Sequence, residues 1–64
     1  MQDSKTLDAV LRLPVVETVS GLKRAAIYRA ISKGQFPKQV RLGTRAVGWK
    51  ASEIQAWVSS RQPA

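Results

Sequence analysis

The chain contains no cysteine and no histidine. Without cysteine there is no disulfide to brace its 64 residues, and without either residue an ordinary zinc site is excluded. Packing alone must therefore hold so small a chain together, and one domain is all that this length supports. Long apolar runs are missing as well: none approaches the roughly 20 residues that span a bilayer, so no membrane partner is expected. The opening residues, MQDSKTLDAV, have neither the basic region nor the apolar stretch of a secretory signal. Together these absences fit a cytoplasmic protein. Carboxylates are also few. Asp3, Asp8, Glu17 and Glu53 are the whole set, and they are scattered over the tail, the first helical segment and the last. They form no acid–base pair, and Ser59-Ser60 has no base beside it. Gly43 and Gly48 fall in a hairpin pattern and not in a phosphate loop that follows a strand. The chain does not read as an enzyme, and no cofactor or metal is expected.

What the chain does have is cations in one place. From Thr18 to Ser52 there is no acidic residue, yet Lys23, Arg24, Arg29, Lys33, Lys38, Arg41, Arg45 and Lys50 all lie there. The formal net charge is +7, and its placement tells more than its size. A folded unit built from this block presents a positive face, for which a phosphate backbone is the commonest partner. The plainer reading of the same block is a solvated basic surface that serves solubility.

Residues 1–9 are expected to form a flexible tail, and residues 62–64 a frayed end. Val10-Leu11-Arg12-Leu13 reads as a short extended segment before Pro14, because proline disfavours helix at the residue before it and suits the first helical position. A short helix then runs from Pro14 to about Val19, with Val16 and Val19 three apart on one face. Ser20-Gly21 stops it, since glycine accepts the left-handed turn, and Leu22 plugs the angle to the next helix.

That second helix is expected from about Lys23 to Lys33. Ile27 and Ile31 with Ala30 make the inward stripe, and Ala25, Tyr28, Arg29 and Ser32 face outward, with Arg24 and Lys33 at the margins. Gly34 ends it and Pro37 prevents its continuation. Two helices of unequal length across a tight glycine turn read as a helix-turn-helix, in which the second helix enters the major groove. An ordinary helical hairpin with a charged outer face has the same periodicity.

The next segment favours the first reading. Lys38-Gln39-Val40-Arg41-Leu42 alternates polar and apolar, Gly43-Thr44-Arg45 follows, and Ala46-Val47-Gly48-Trp49 completes a β-hairpin. Val40 and Leu42 should point one way, leaving Lys38 and Arg41 exposed and Arg45 at the tip. A cationic hairpin directly after a groove-facing helix is a wing. The last segment, Ala51 to about Arg61, is a closing helix. Glu53 in its first turn suits the positive dipole end and is expected to bond back to the helix start. Ile54, Trp57 and Val58 form an apolar stripe. Trp49 and Trp57 are assigned to the core, with Trp57 locking the last helix against the strand that ends in Trp49.

A resemblance spans this whole arrangement. Arg12-Leu13-Pro14, Gly21-Leu22-Lys23-Arg24, Ile27-Tyr28-Arg29, Gly34-Gln35-Phe36-Pro37, Val40-Arg41-Leu42-Gly43, Val47-Gly48-Trp49, and Glu53-Ile54 with Trp57-Val58 follow in order and at close spacing. No single piece is specific, but the ordered set is. The chain resembles the AlpA family of small phage and prophage regulators, which are similar in fold to excisionases and to the DNA-binding domain of the MerR regulators. The match covers about Arg12 to Arg61.

The resemblance implies a mainly α fold with a small β-hairpin, a winged helix-turn-helix over residues 10–61. It puts Arg24, Tyr28 and Arg29 on the groove-facing helix and Arg41 and Arg45 on the wing. Two positions depart from the family pattern. Lys23 stands where a Ser or Thr is common, and Ala25 where a hydroxyl residue is. Losing a hydroxyl cap typically costs about 0.5–2 kcal/mol, and Lys23 puts a cation at the positive end of the dipole unless a phosphate lies there. Ala25 suits a thymine methyl, so the family's sequence preference does not transfer.

The expected function is sequence-specific binding of double-stranded DNA by a small transcriptional regulator, with excisionase assisting an integrase as the alternative and a small basic RNA-binding protein as a more distant one. The expected DNA-binding residues are Lys23, Arg24, Ala25, Tyr28, Arg29, Lys33, Lys38, Arg41, Thr44 and Arg45. A monomer in solution is expected. One helix and a wing read few base pairs, so side-by-side copies, or a partner such as integrase or RNA polymerase, are implied.

Overall fold

The computed structural model of the chain describes residues 8–62. The expectations for residues 1–7 and 63–64 lie outside that range. The elements in order are β1 (Val10–Leu11), α1 (Leu13–Ser20), α2 (Arg24–Ser32), β2 (Val40–Arg41), β3 (Val47–Lys50) and α3 (Ala51–Ser59). The described residues thus form three helices and a three-stranded antiparallel sheet, order β1-β3-β2, an arrangement compatible with a small helix-turn-helix unit. Among the described residues no helix is long and apolar enough to cross a membrane.

α1 starts where proline permits. Arg12 occupies the cap position in extended conformation, Pro14 sits in the first turn, and the Arg12 carbonyl accepts from the Val15 and Val16 amides at 3.1 and 3.0 Å. Gly21 ends the helix at φ 78° and donates to the Glu17 carbonyl at 2.9 Å. The turn into α2 is tightened by the Ser20 hydroxyl, which accepts from the Leu22 amide at 3.2 Å. α2 closes with Gly34 at φ 72°: its amide donates to Ile31, and the Gln35 amide reaches back to the Ala30 carbonyl at 2.8 Å. That crossed pair of bonds is a Schellman motif, which needs a left-handed residue at its centre.

The hairpin pairs Val40 with Gly48 and Arg41 with Val47, shorter than the expected strands, and the Leu42 amide closes it onto the Ala46 carbonyl at 2.8 Å. β1 adds to the other edge of β3 through Val10 with Lys50 and Leu11 with Trp49. The extended character of Val10-Leu11 is as expected, but its place in the sheet was not legible. Gly48 is buried at the crossing of the three strands. A Cβ there would collide with a Val10 methyl and lie 3.0 Å from the Leu11 carbonyl oxygen and 3.1 Å from a Leu42 methyl.

Val16, Ile27, Phe36, Trp49 and Ile54 form the buried core. Full burial of such a side chain is worth roughly 1.5–3 kcal/mol. Leu13, Leu22, Tyr28, Ala30 and Ile31 pack partly buried against it.

Several expectations are corrected here. Val19 is exposed and does not share the buried face of Val16, because the inward stripe of α1 runs from Val16 toward Leu13, on the flank opposite Val19. Leu42 and Val58 are exposed as well. Trp57 is only half-buried, at the edge of the core. It packs edge-on against Phe36 with ring centroids 4.8 Å apart, and its indole N–H donates to the Gln35 carbonyl at 2.9 Å. Trp49 instead meets Tyr28 edge-on at 6.1 Å and donates to the Pro37 carbonyl at 3.0 Å. The two indoles therefore pin the connector between α2 and β2 at Gln35 and Pro37, on either side of Phe36.

Glu53 is acidic in the first turn of α3 as expected, but the capping is done from elsewhere. The Asp8 carboxylate accepts the Ser52 amide at 3.1 Å and the Ser52 hydroxyl at 2.5 Å, and the Ala9 carbonyl accepts the Ala51 amide at 2.8 Å. Asp8 and Ala9, expected in the tail, are thus bound to the start of α3.

Candidate nucleic-acid interface

α2 positions the candidate site. At 100° per residue, with Ile27 at the centre of the buried side, Ala25, Arg29 and Ser32 occupy the middle of the opposite face. All three are exposed. Ala25 and Ser32 are small, so Arg29 is the one long side chain there, and the Ser32 hydroxyl folds onto the Arg29 carbonyl at 2.8 Å.

Arg24 and Tyr28 lie on one margin. The Arg24 guanidinium sits 5.7 Å from the centroid of the Tyr28 ring, close enough for a cation–π attraction. Tyr28 itself is half-buried, because its ring packs on Trp49, so only part of this side chain faces outward. A cleft of about 240 Å³ opens here, and Arg24, Tyr28 and Arg45 line it together with Arg12. The hairpin tip is thereby brought beside the start of α2. Thr44, at the same tip, is exposed.

Lys33 and Ala26 lie on the opposite margin. They line a second cleft, of about 500 Å³, with Arg29, Trp57 and Arg61. Lys38 and Arg41 are gathered elsewhere, in a cleft of about 390 Å³ between the end of α2 and the hairpin, with Ile31 and Val47 at its floor. Lys23 stands apart from all three groups, near Glu17 in the turn between α1 and α2.

The electrostatics are one-sided. Among the described residues, no carboxylate lines the clefts of Arg24, of Arg29 or of Lys38. α2 has no acidic residue in its first turn, no side-chain cap at Lys23, and Arg24 as its first residue. Cations at that end oppose the helix dipole, and an anion placed there would offset the cost. Among the described residues no group of three His, Cys, Asp or Glu could hold a metal ion.

Sequence reasoning missed Arg12 and Arg61. Both lie outside the acid-free block, and only the fold returns them to α2. For Arg61 a local signal existed: it follows Trp57 by four residues, the spacing at which helix side chains meet, and its guanidinium lies 4.3 Å from the Trp57 ring centroid. Arg12 gave no such signal, because its neighbours Arg24 and Arg45 come from distant segments.

Residues 9–62 match the protein family described as prophage CP4-57 regulatory protein (AlpA). The chain is similar to an uncharacterized protein, ORF88, of Enterobacteria phage P4, 46% identical over 56 residues that make up 88% of this chain and 64% of that protein. It spans less than two thirds of the length of the phage protein. It is also similar to the DNA-binding transcriptional activator AlpA of Escherichia coli (strain K12), 40% identical over 58 residues, which cover 81% of this chain and 83% of that protein.

Proposed function

This chain belongs to the AlpA family of prophage regulatory proteins, and from that membership we propose that it binds double-stranded DNA sequence-specifically as a small transcriptional regulator. The observation that carries this reading is the outer face of α2, where Arg29 stands between two cation-lined margins that hold no carboxylate among the described residues. A helix with such a face suits the major groove, where an arginine reads guanine through two parallel hydrogen bonds. The β2–β3 hairpin acts as a wing, with Arg45 and Thr44 at its tip against the backbone and Lys38 and Arg41 along its base.

Lys23, Lys33, Lys38, Arg41 and Arg45 mostly neutralise phosphate, which fixes register without reading sequence. Ala25 at the centre of the helix face offers a methyl group to a thymine. Arg24 and Tyr28, on the margin, hold the edge of the groove, Tyr28 through its hydroxyl. A regulator is preferred to an excisionase because the Escherichia coli relative is named a transcriptional activator. Acting alone, a single helix and wing contact few base pairs, so the protein works in side-by-side copies or beside a larger partner such as RNA polymerase, in the cytoplasm at the nucleoid.

Duplex RNA tests the reading directly, because its major groove is too deep and narrow for a helix to enter. In a competition gel with a labelled DNA duplex, unlabelled DNA of the same sequence should displace it and matched duplex RNA should not. Equal displacement by the two would leave only a sequence-blind phosphate binder.

A further inference from the structure

We propose that Arg12 and Arg61 are phosphate contacts, one on each of the two DNA strands that border the groove occupied by α2. The inference rests on the DNA-binding reading above and extends it to two residues outside the acid-free block, the cap of α1 and the segment after α3.

Each residue completes a cleft on one side of α2. Arg12 joins Arg24 and Arg45 at the margin of Tyr28, and Arg61 joins Arg29 and Lys33 at the margin of Ala26. These margins are on opposite sides of the outward face, since Tyr28 and Ala26 are separated by two positions and so by about 160° around the helix. An α-helix with its side chains is about 10–12 Å across, and the major groove of DNA is about 12 Å wide. A helix seated there fills the groove, so its two margins meet two different strands.

Both side chains are anchored at the base. The Arg12 backbone is fixed as the cap of α1, with its carbonyl bonded to two amides of the first turn. The Arg61 guanidinium rests on the Trp57 ring, and Trp57 is held in turn by its bond to the Gln35 carbonyl. One guanidinium N–H donates to the Ser60 hydroxyl at 3.3 Å, and the remaining donors of its five are available to an anion. Three cations converge in each cleft, with no carboxylate among the described residues that line it. Their mutual repulsion is relieved when a phosphate enters, and an arginine fork takes phosphate oxygens in pairs.

The test is a salt series by fluorescence anisotropy on the whole chain, with a labelled random-sequence DNA duplex as the probe. Arg12→Ala and Arg61→Ala should each flatten the slope of log affinity against log salt by about 1, and the double variant by about 2. Arg12→Lys and Arg61→Lys keep the charge and should keep the slope. If the double alanine variant retains the parent slope while Arg45→Ala flattens it, this inference is overturned and the DNA-binding reading stands. A parent slope near zero would overturn that reading itself. Weaker binding at unchanged slope, with a lowered circular-dichroism melt, would assign the two arginines a structural role and likewise overturn the inference.

Discussion

Asp8 caps the last helix from 44 residues away. Its carboxylate takes both the amide and the hydroxyl of Ser52, in the first turn of α3, which has no cap of its own at Lys50. Two of the donors left open at the helix start, the Ala51 and Ser52 amides, are thus satisfied by Ala9 and Asp8, the residues that lead into β1. The same contact joins the beginning of the domain to its end, and it ties β1 to the sheet edge beside it.

The bonds from Ser52, first its hydroxyl and then its amide, hold the Asp8 carboxyl below its usual value of 3.8, and the charge of Lys50 adds to the effect. A carboxylate with a depressed folded pKa stabilises the fold above its unfolded pKa and loses that contribution as pH falls through the folded one. Asp8→Ala should therefore melt at a lower temperature than the parent at neutral pH. The gap should shrink as pH drops below 3.8 and close once Asp8 is protonated in both states. Thermal melts over a pH series check it; a gap independent of pH would mean that the carboxylate charge is irrelevant to the contact.

Gly48 is a packing glycine. An added methyl group meets a Val10 methyl and the backbone carbonyl of Leu11, and the carbonyl cannot swing aside as a side chain can. Gly48→Ala should cost about 1–3 kcal/mol in denaturant unfolding. Shortening Val10 to alanine in the same chain should return part of that loss, because one of the two obstructions is removed.

The two tryptophans should separate in their effects. Trp49 is fully buried, so Trp49→Ala should cost about 3–5 kcal/mol, comparable with the whole stability of a core this small, and leave the chain largely unfolded. Trp57 is half-buried. Trp57→Phe keeps the edge contact with Phe36 and removes the bond to Gln35, for a cost of about 0.5–1.5 kcal/mol. Circular dichroism of this variant should show a cooperative melt at reduced temperature.

Reading and holding should also divide. Arg29 stands on the middle of the outer face of α2, so Arg29→Ala should cost about 1–3 kcal/mol on the selected site and less on random DNA. Arg45→Ala and Lys38→Ala should weaken both duplexes by similar factors. Equal losses for Arg29→Ala on the two duplexes, measured by anisotropy, would remove α2 as the reading helix.

With the five cations assigned to phosphate joined by Arg12 and Arg61, roughly seven phosphates are neutralised by the parent chain, and the logarithm of its affinity should fall with that of salt at a slope of about −6. A salt-independent affinity would contradict any phosphate-led mode of binding.

Local chemistry made most of the elements legible. Pro14 with Gly21 bounds α1, Gly34 with Pro37 ends α2, and the alternation of residues 38–42 around Gly43 announces the hairpin, because each of these residues restricts its own backbone wherever it stands. The acid-free block likewise announced a positive face, since charge is a property of composition and survives any arrangement of the chain. What sequence could not give was which distant segments meet. Val19 and Val58 are as apolar as Val16 and Ile54, yet they are exposed, because helix periodicity defines a stripe wider than the strip a small core covers. Trp57 is a related case: its apolar character says that it packs, and only the path of the connector through Gln35 and Phe36 brings its ring partner and its hydrogen-bond acceptor to it. Asp8 and Arg12 were decided entirely by tertiary structure. β1 pairs at the edge of β3, and that pairing carries Asp8 to the head of α3 and sets Arg12 beside Arg24 and Arg45. Contacts between residues so far apart depend on the closure of the whole chain, which no local pattern encodes.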